Sequence, residues 1–452
     1  MRLKHMKKII ISLLIFIILI TFNLSTYAAE NISIKSGAGL LVERSKGKVL
    51  FDKNAYEKMY PASTTKILTA IVVLENTKLD DMATVSKNAL ETIPNGYVTC
   101  NLQIGEELSV KDLMYALMVK SANDAAVVLA EHVGGSVEGF SDMMNEKAKE
   151  IGCKNTHFVN PNGIHNANHY TTAYELYLMA EYALSFENTN EFRDFVSKTS
   201  YTLPATNMYP AEDRSFTTTN ELIKINNNNR KDNYYYKNAL GIKTGHTSQA
   251  GYCLVSSSSR DNLEFISVIL DGGFDDIGLS ERYTETIKLF NFGYDNFTLT
   301  KLKEENNIID TITVEKATKE TATLNLLIKD EITVINDKST DIDKIEPKIE
   351  LKENIIAPIA KGEVLGTITY VVDDIEYKSE LLAEHDVEKF DITFELIVTG
   401  VFLLIIGFLL LVSRELSSRN YKKKKRKPVK KQDQKILIIL TKIYIKIKFT
   451  KL

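Results

Sequence analysis

The sequence predicts an α/β domain with an antiparallel sheet flanked by helices, then a small all-β domain and a C-terminal transmembrane helix. Strand patterns stand at both ends of residues 39–270, with helical patterns between them. After residue 303 apolar and polar residues alternate with period two. Residues 396–413 form an uncharged apolar stretch that is long enough to cross a bilayer. These three observations predict the fold class.

The first domain is predicted element by element. Residues 39–42 and 48–51 predict a β-hairpin that turns at Ser45-Lys46-Gly47. Residues 65–75 predict an apolar helix, and residues 249–270 predict two strands joined by a Ser/Asp turn. Because strands come first and last, the two ends of this domain are expected to meet in one antiparallel sheet.

The second domain is predicted to be a small all-β module. Its period-two segments cover residues 311–314, 323–328, 331–335, 364–372 and 375–381. The chain is expected to divide near residues 296–303. This division assigns residues 30–297 to the first domain and residues 298–385 to the second.

The two ends of the chain predict secretion and anchoring. Residues 1–29 place four basic residues before an apolar run, which is the pattern of a signal peptide, with an uncleaved anchor as the alternative. Basic residues after the stretch 396–413 mark the cytoplasmic side of a membrane. Residues 414–452 are therefore predicted to be a basic cytoplasmic tail, and the domains before the span are predicted to lie outside the cell membrane.

Charge and cysteine content exclude some classes of partner. The formal net charge is −3, but residues 1–29 hold +4 and residues 414–452 hold +13, which leaves −20 for residues 30–413. An outer part that acidic argues against nucleic acid as a partner. Three cysteines without metal-site spacing predict buried or free thiols, although one disulfide is left open.

A first motif carries chemistry at Tyr60-Pro61-Ala62-Ser63-Thr64-Thr65-Lys66, where a hydroxyl and an amine are three residues apart at a predicted helix start. At that spacing both side chains lie on one face. Ser63 is a candidate nucleophile, and Lys66 can be its base if burial and a nearby cation lower the pKa of the amine. Alone, the pattern also fits an ordinary helix start.

Two further motifs support a catalytic interpretation. Lys120-Ser121-Ala122-Asn123-Asp124 follows a helical pattern, and Gly241-Ile242-Lys243-Thr244-Gly245-His246 opens a strand-rich segment. Serine enzymes with a Ser-x-x-Lys motif carry such a trio in this order. Ser121 could relay a proton to the leaving amine. Asn123 could bind a substrate amide or orient the lysine base.

The third motif predicts how a peptide would bind. Lys243 could be the cation that lowers the pKa of the base, and with Thr244 it would hold a terminal carboxylate. Gly245 lets an extended peptide approach and pair with the strand edge. The oxyanion would lie between the backbone N–H groups of Ser63 and His246. The residues alone predict an acyl-transfer enzyme outside the membrane.

The three motifs, together with Ala250-Gly251-Tyr252 and Gly105-Glu106-Glu107-Leu108, resemble the low-molecular-mass penicillin-binding proteins, specifically the serine D-alanyl-D-alanine carboxypeptidases of peptidase family S11. The resemblance covers about residues 35–385. It implies a β-lactamase/transpeptidase-like catalytic domain with its active site between the sheet and a helical lobe. It also implies that the C-terminal domain is a spacer that holds the catalytic domain away from the membrane, with a binding module as the alternative.

The activity that the resemblance implies is removal of the terminal D-alanine from peptidoglycan stem peptides ending in D-Ala-D-Ala, through an acyl-enzyme at Ser63. β-Lactams such as penicillin would acylate the same serine, and the reaction would influence cell-wall maturation and cell shape. No metal and no cofactor are expected. Arg282 stands where the family carries a carboxylate-binding arginine, and a solvated helix charge is the alternative.

Three other functions remain open. His165 and His169 have the spacing of a zinc pair but lack the glutamate of a His-Glu-x-x-His helix. A β-lactamase would need a deacylating glutamate, for which Glu175 is the available candidate. A penicillin sensor or wall-peptide-binding protein would bind or be acylated without turnover.

Overall fold

A computed structural model describes residues 32–210, 214–225 and 233–423. The chain divides into two compact units, of which the first runs to Asn307 and adds Ile328–Glu350 and Thr367–Ser379. The second unit comprises Ile308–Leu327, Leu351–Gly366 and the chain from Glu380 onward. The predicted bounds of the two domains stay a prediction.

The first unit is built on a five-stranded sheet with the order β2-β1-β9-β8-β7. Its strands are β1 (Ala38–Glu43), β2 (Lys48–Lys53), β7 (Ala239–Thr247), β8 (Gly251–Arg260) and β9 (Leu263–Gly272). Four short strands lie between β2 and β7 in sequence and form two separate pairs: β3 (Met82–Thr84) with β4 (Glu107–Ser109), and β5 (Ser200–Leu203) with β6 (Arg214–Thr217). Strand β1 pairs antiparallel with both β2 and β9. The predicted hairpin is confirmed, as is the meeting of the first and last strands of this domain in one antiparallel sheet. Strand β7 lies at one edge of the sheet.

Helices cover this sheet and form a separate helical lobe. They are α1 (Lys66–Asn76), α2 (Lys87–Glu91), α3 (Val110–Tyr115), α4 (Asn123–Gly134), α5 (Val137–Ile151), α6 (Ala173–Ala183), α7 (Thr189–Ser197) and α8 (Glu281–Asn296). Helix α1 is buried from its first residue to Leu74 because apolar side chains surround it on all sides, as in a central core helix. The predicted helix over residues 65–75 is therefore confirmed as the core of the lobe.

The second catalytic motif follows an irregular helix end. Helix α3 begins after Ser109, whose side chain accepts a hydrogen bond from the Asp112 N–H, and continues into a π-helical turn over Ala116–Lys120. Ser121 then adopts the left-handed conformation, with a φ of 65°. This change of direction ends the helix and lets α4 begin at Asn123.

Strands dominate the chain after α8. They are β10 (Phe297–Lys303), β11 (Ile308–Thr313), β12 (Thr323–Ile328), β13 (Ile332–Asp337), β14 (Lys348–Leu351), β15 (Val364–Val372) and β16 (Ile375–Ala383). In the first unit β10 pairs antiparallel with β13. In the second unit β11 pairs antiparallel with β12. The predicted β-rich pattern is confirmed. The residues near which the chain was predicted to divide, 296–303, form strand β10 from Phe297 onward, and this strand pairs with β13.

Helix α9 (Ile392–Lys423) contains the predicted membrane span. Its segment Leu396–Leu416 is long and apolar enough to cross a membrane, and it packs against no core. This apolar segment ends at Leu416, three residues beyond the predicted end of the span at residue 413. The predicted signal peptide at 1–29 lies outside the described residues, as does most of the predicted tail, residues 424–452.

Candidate active site

The nucleophile candidate lies in a single 3₁₀ turn before α1. This turn covers Ala62–Thr65. The Thr64 hydroxyl donates to the Pro61 carbonyl at 2.7 Å, and the Thr65 hydroxyl donates to the Ala62 carbonyl at 2.8 Å. These bonds replace helical ones and hold Ser63 at the surface of a buried turn. Its hydroxyl is partly exposed and faces a cavity.

Lys66 is completely buried and has an acceptor in each of three directions. Its ammonium nitrogen lies 2.8 Å from Ser63 Oγ, 2.9 Å from Asn123 Oδ1 and 2.7 Å from the main-chain oxygen of Asn162. Burial lowers the pKa of Lys66 well below its usual range, and the positive charge of Lys243 lowers it further, against the opposing charge of Asp124. The geometry and the pKa shift are both those of an amine that can act as a base.

The second motif contributes from the helical lobe. Asn123 is buried, and its side-chain amide and its main-chain N–H both donate to the Val98 carbonyl, at 3.0 and 2.9 Å. Its side-chain oxygen is thereby turned toward Lys66. Of the two predicted roles, the structure supports orientation of the lysine. Ser121, nearly buried, lines the same cavity as Ser63.

The third motif lies on the edge strand β7. Lys243 is buried, and its ammonium donates to the Thr244 carbonyl at 2.9 Å. Burial, and to a smaller extent the positive charge of Arg282, lowers the pKa of Lys243 to about 7. The Thr244 hydroxyl lies 2.6 Å from the hydroxyl of Thr219. A Cβ at Gly245 would lie 2.9 Å from the Pro61 oxygen, which is closer than side chains tolerate. Glycine is needed here because β7 packs directly against the nucleophile turn.

The stacked His246 ring and the Arg282 side chain also line the cavity. The His246 ring stacks on Tyr252 with 4.1 Å between centroids, and partial burial lowers its pKa. Arg282, in the first turn of α8, donates to the Gly245 carbonyl at 3.2 Å and lies 5.0 Å from the Tyr252 ring. The arginine therefore points into the site, which favours the carboxylate-binding interpretation over a solvated helix charge.

The nine predicted site residues converge on one cavity of about 430 Å³. Seven of them line it: Ser63, Ser121, Asn123, Thr244, Gly245, His246 and Arg282. The two lysines lie buried behind this lining. Sequence reasoning missed the Asn162 carbonyl and Thr219. A main-chain carbonyl leaves no mark in the residue types, and Thr219 lies between segments that carry no motif.

The histidines of the possible zinc pair have other partners. The Val159 N–H donates to His169 Nδ1 at 3.2 Å, so the protonated Nε2 donates to the Thr65 hydroxyl at 2.8 Å. Burial lowers the pKa of His169 to about 3, so the ring stays neutral. The His165 ring instead packs edge-on against Tyr60, with 4.6 Å between centroids. His169 thus supports the nucleophile turn, which argues against the zinc hypothesis.

The remaining candidates have structural roles. The Glu175 carboxylate accepts hydrogen bonds from the N–H groups of Lys154 and Asn155, at 2.7 and 2.8 Å, and so holds the loop after α5. It does not line the catalytic cavity.

The three cysteines are buried and free: Cys100, Cys153 and Cys253. The predicted free thiols are confirmed, and the disulfide left open does not form.

Known families match both parts of the chain. The model of the D-alanyl-D-alanine carboxypeptidases, peptidase S11, matches residues 25–273, and that of the C-terminal domain of penicillin-binding protein 5 matches residues 297–389. The chain belongs to the D-alanyl-D-alanine carboxypeptidase family S11. The predicted family, its fold class and the carboxypeptidase function are confirmed.

Individual relatives match over most of their length. The chain is 32% identical to the D-alanyl-D-alanine carboxypeptidase DacF of Bacillus subtilis strain 168, over 85% of this chain and 95% of that relative. It is 31% identical to DacC of Escherichia coli K12, over 81% and 89% of the two chains. Among solved structures, penicillin-binding protein 5 of Haemophilus influenzae is 28% identical, with a TM-score of 0.62 over 79% of this chain and 99% of that one.

Proposed function

We propose that the chain is a serine-type, metal-independent carboxypeptidase that removes the terminal D-alanine from peptidoglycan stem peptides ending in D-Ala-D-Ala. The observation that carries this proposal is the environment of Lys66, whose buried nitrogen touches the Ser63 hydroxyl and two carbonyl-type oxygens. A peptide-binding protein without turnover has no need of a buried lysine at that position, because an uncompensated buried amine is costly.

The base is aimed by its two other partners. A neutral amine has two N–H groups and one lone pair. When its two hydrogens point at Asn123 Oδ1 and the Asn162 carbonyl, the lone pair faces Ser63 Oγ at 2.8 Å. Lys66 then takes the Ser63 proton as the oxygen attacks the carbonyl carbon of the penultimate D-alanine. The lowered pKa of Lys66 supplies the neutral form.

The tetrahedral intermediate is stabilised by main-chain donors. The backbone N–H groups of Ser63 and His246 would hold the oxyanion, each contributing roughly 3 kcal/mol to transition-state stabilisation. Ser121, which lines the same cavity, passes a proton from Lys66 to the leaving amine, and free D-alanine departs. Water then attacks the ester carbonyl, Lys66 accepts the water proton, and Ser63 regains its hydrogen.

The cavity recognises the C-terminus of the substrate. Lys243 and Arg282 supply positive charge, and the Thr244 hydroxyl supplies a donor, for a terminal carboxylate. The peptide itself pairs as an added strand on the edge of β7. β-Lactams would acylate Ser63 because they present a carboxylate and an acyl group at the same spacing.

A non-turnover penicillin sensor remains the second candidate, since acylation alone needs the same residues. A β-lactamase is disfavoured because Glu175 is bound to the loop after α5, away from Ser63. For topology we propose a cleaved signal peptide at 1–29, a catalytic domain over residues 30–297 and an all-β spacer over 298–385, all outside the cell. Residues 396–413 of helix α9 then span the membrane, and the basic tail, 414–452, lies inside.

The test measures D-alanine release by the detergent-solubilised full chain from a diacyl-Lys-D-Ala-D-Ala peptide. Release that penicillin blocks, that EDTA leaves intact and that Ser63→Ala abolishes would support the proposal. Penicillin acylation without D-alanine release would support the sensor instead. Release that EDTA abolishes would overturn the serine mechanism.

A further inference from the structure

A second cavity lies beside the catalytic one. Its volume is about 350 Å³, and its walls belong to segments that also line the catalytic cavity. The turn between β7 and β8 contributes Ser248 to the catalytic cavity and Gln249 to the second. The loop before α6 contributes Ile164 to the first and Tyr170 to the second. The two cavities are therefore neighbours along both segments.

The wall near the nucleophile is formed by an edge-on pair of aromatic rings. Tyr60, three residues before Ser63, lines the second cavity, and the His165 ring packs edge-on against it. The Cys253 thiol contacts the Tyr60 carbonyl at 3.9 Å. This wall is continuous with the nucleophile turn, so a ligand in the second cavity would lie next to a substrate at Ser63.

The second cavity carries one positive and one negative side chain. Lys58 and Asp271 both line it, and both are exposed. Within residues 32–210, 214–225 and 233–423, the Lys58 ammonium forms no ion pair and lies 4.3 Å from the centre of the Tyr170 ring. Over the same residues the Asp271 carboxylate accepts no hydrogen bond from a donor. Both charges are thus available to a ligand that carries the opposite charges.

An extended substrate would reach this cavity from the catalytic one. A peptide paired with β7 has its scissile carbonyl near His246 and continues past Thr247 toward the turn that holds Gln249. One further residue and a long side chain together span about 10 Å, which matches the three residues from His246 to Gln249. The side chain that arrives there belongs to the residue just before D-Ala-D-Ala.

We propose that this cavity is a specificity subsite for the side chain of the residue that precedes D-Ala-D-Ala, and that it selects a side chain ending in both an ammonium and a carboxylate. Lys58 pairs with the carboxylate, and Asp271 pairs with the ammonium. The proposal rests on the proposed function and adds the class of stem peptide that the enzyme prefers. A diaminopimelyl side chain has this end group, whereas a lysyl side chain has the ammonium alone.

The experiment compares three peptides that differ at this residue alone: meso-diaminopimelate, lysine and Nε-acetyl-lysine before D-Ala-D-Ala. The detergent-solubilised full chain is assayed for kcat/KM of D-alanine release. Wild type should prefer the diaminopimelyl peptide. Lys58→Met should lower kcat/KM about fivefold for that peptide alone, the effect of one partly exposed charge pair. Asp271→Asn should lower it for the diaminopimelyl and lysyl peptides and spare the acetylated one.

Lys78→Met is the matched control, because Lys78 is also exposed but lies beyond the far end of α1. It should change none of the three values. Equal kcat/KM for the three peptides in wild type would overturn the subsite, as would variants that lower all three alike. If no peptide released D-alanine, the proposed function would fail instead. The same peptides would then be ranked by competition against a fluorescent penicillin, where equal affinities would overturn the subsite.

Discussion

A single methyl group at Gly163 should disconnect the lysine base from its main-chain acceptor. Gly163 has a φ of +80°, and a Cβ there would lie 1.9 Å from the Ala62 oxygen. Real Cβ atoms essentially never come within 3.0 Å of a neighbour, so the loop must move by roughly 1 Å. The Asn162 carbonyl, which accepts from Lys66 at 2.7 Å, would move with it.

Two separate effects follow from Gly163→Ala. The left-handed backbone costs alanine about 1–2 kcal/mol of folding free energy, and the clash adds to that loss. A displacement of about 1 Å at a catalytic group can cost about 100-fold in rate. We therefore expect the rate constant of penicillin acylation to fall about 100-fold, because the lone pair of Lys66 no longer faces Ser63.

The matched control is Gly135→Ala. Gly135 has a similar φ of +73° with no atom within 4 Å of a Cβ, at the opposite end of α4 from Asn123. This variant should show the backbone strain alone and keep the wild-type rate. Acylation is followed with a fluorescent penicillin and stability by thermal unfolding. If the Gly163→Ala variant were acylated as fast as the Gly135→Ala variant, the proposed role of the Asn162 carbonyl would be refuted.

Three further predictions follow from the pKa shifts and the carboxylate site. Burial lowers the pKa of Lys66, and acidification should lower kcat/KM because this base then becomes charged. Raising the pH above about 7 should also lower kcat/KM, because Lys243 then loses its charge. A flat pH–rate profile would contradict both roles. Arg282→Gln should raise KM about tenfold for a free C-terminal carboxylate, roughly the effect of losing one charge-assisted hydrogen bond, and spare a C-terminal amide; equal effects on both peptides would exclude carboxylate binding. Burial lowers the pKa of His169 from 6.5 to about 3, so the unfolded chain binds a proton at this histidine before the folded one does. The folding free energy that depends on the neutral ring is therefore intact above pH 6.5 and falls as the pH drops toward 3, with roughly 3 kcal/mol lost at pH 4. Denaturant unfolding of His169→Gln at pH 7 and pH 4 should show a smaller pH dependence than wild type, and an unchanged dependence would contradict this account of the buried histidine.

The catalytic side chains could be predicted because their chemistry restricts residue type and spacing. Ser63 and Lys66 share a face at a spacing of three, and the structure places their reacting atoms 2.8 Å apart. The glycine of the third motif is explained by packing, since β7 passes too close to Pro61 for any Cβ. Such constraints are local or act on single residues, so they are visible in a sequence.

Features that depend on the main chain or on distant pairing could not be predicted. The Asn162 carbonyl contributes an atom that every residue has, and only its position beside Lys66 makes it functional. Residues 296–303 were expected only to mark a division of the chain, and their pairing as strand β10 was not predicted, because the partner strand β13 lies about 30 residues later in the sequence. The charge at Arg282 was ambiguous for a similar reason, since its partner Gly245 is remote in sequence.

The most direct test of the central mechanism is to locate the acylated residue. The full chain is treated with penicillin, digested and analysed by mass spectrometry, with Ser63→Ala and Ser121→Ala variants alongside. We expect the penicilloyl mass on the peptide that contains Ser63 in wild type and in Ser121→Ala, and no adduct in Ser63→Ala. An adduct on Ser121 or another residue, or D-alanine release that persists in Ser63→Ala, would contradict Ser63 as the nucleophile.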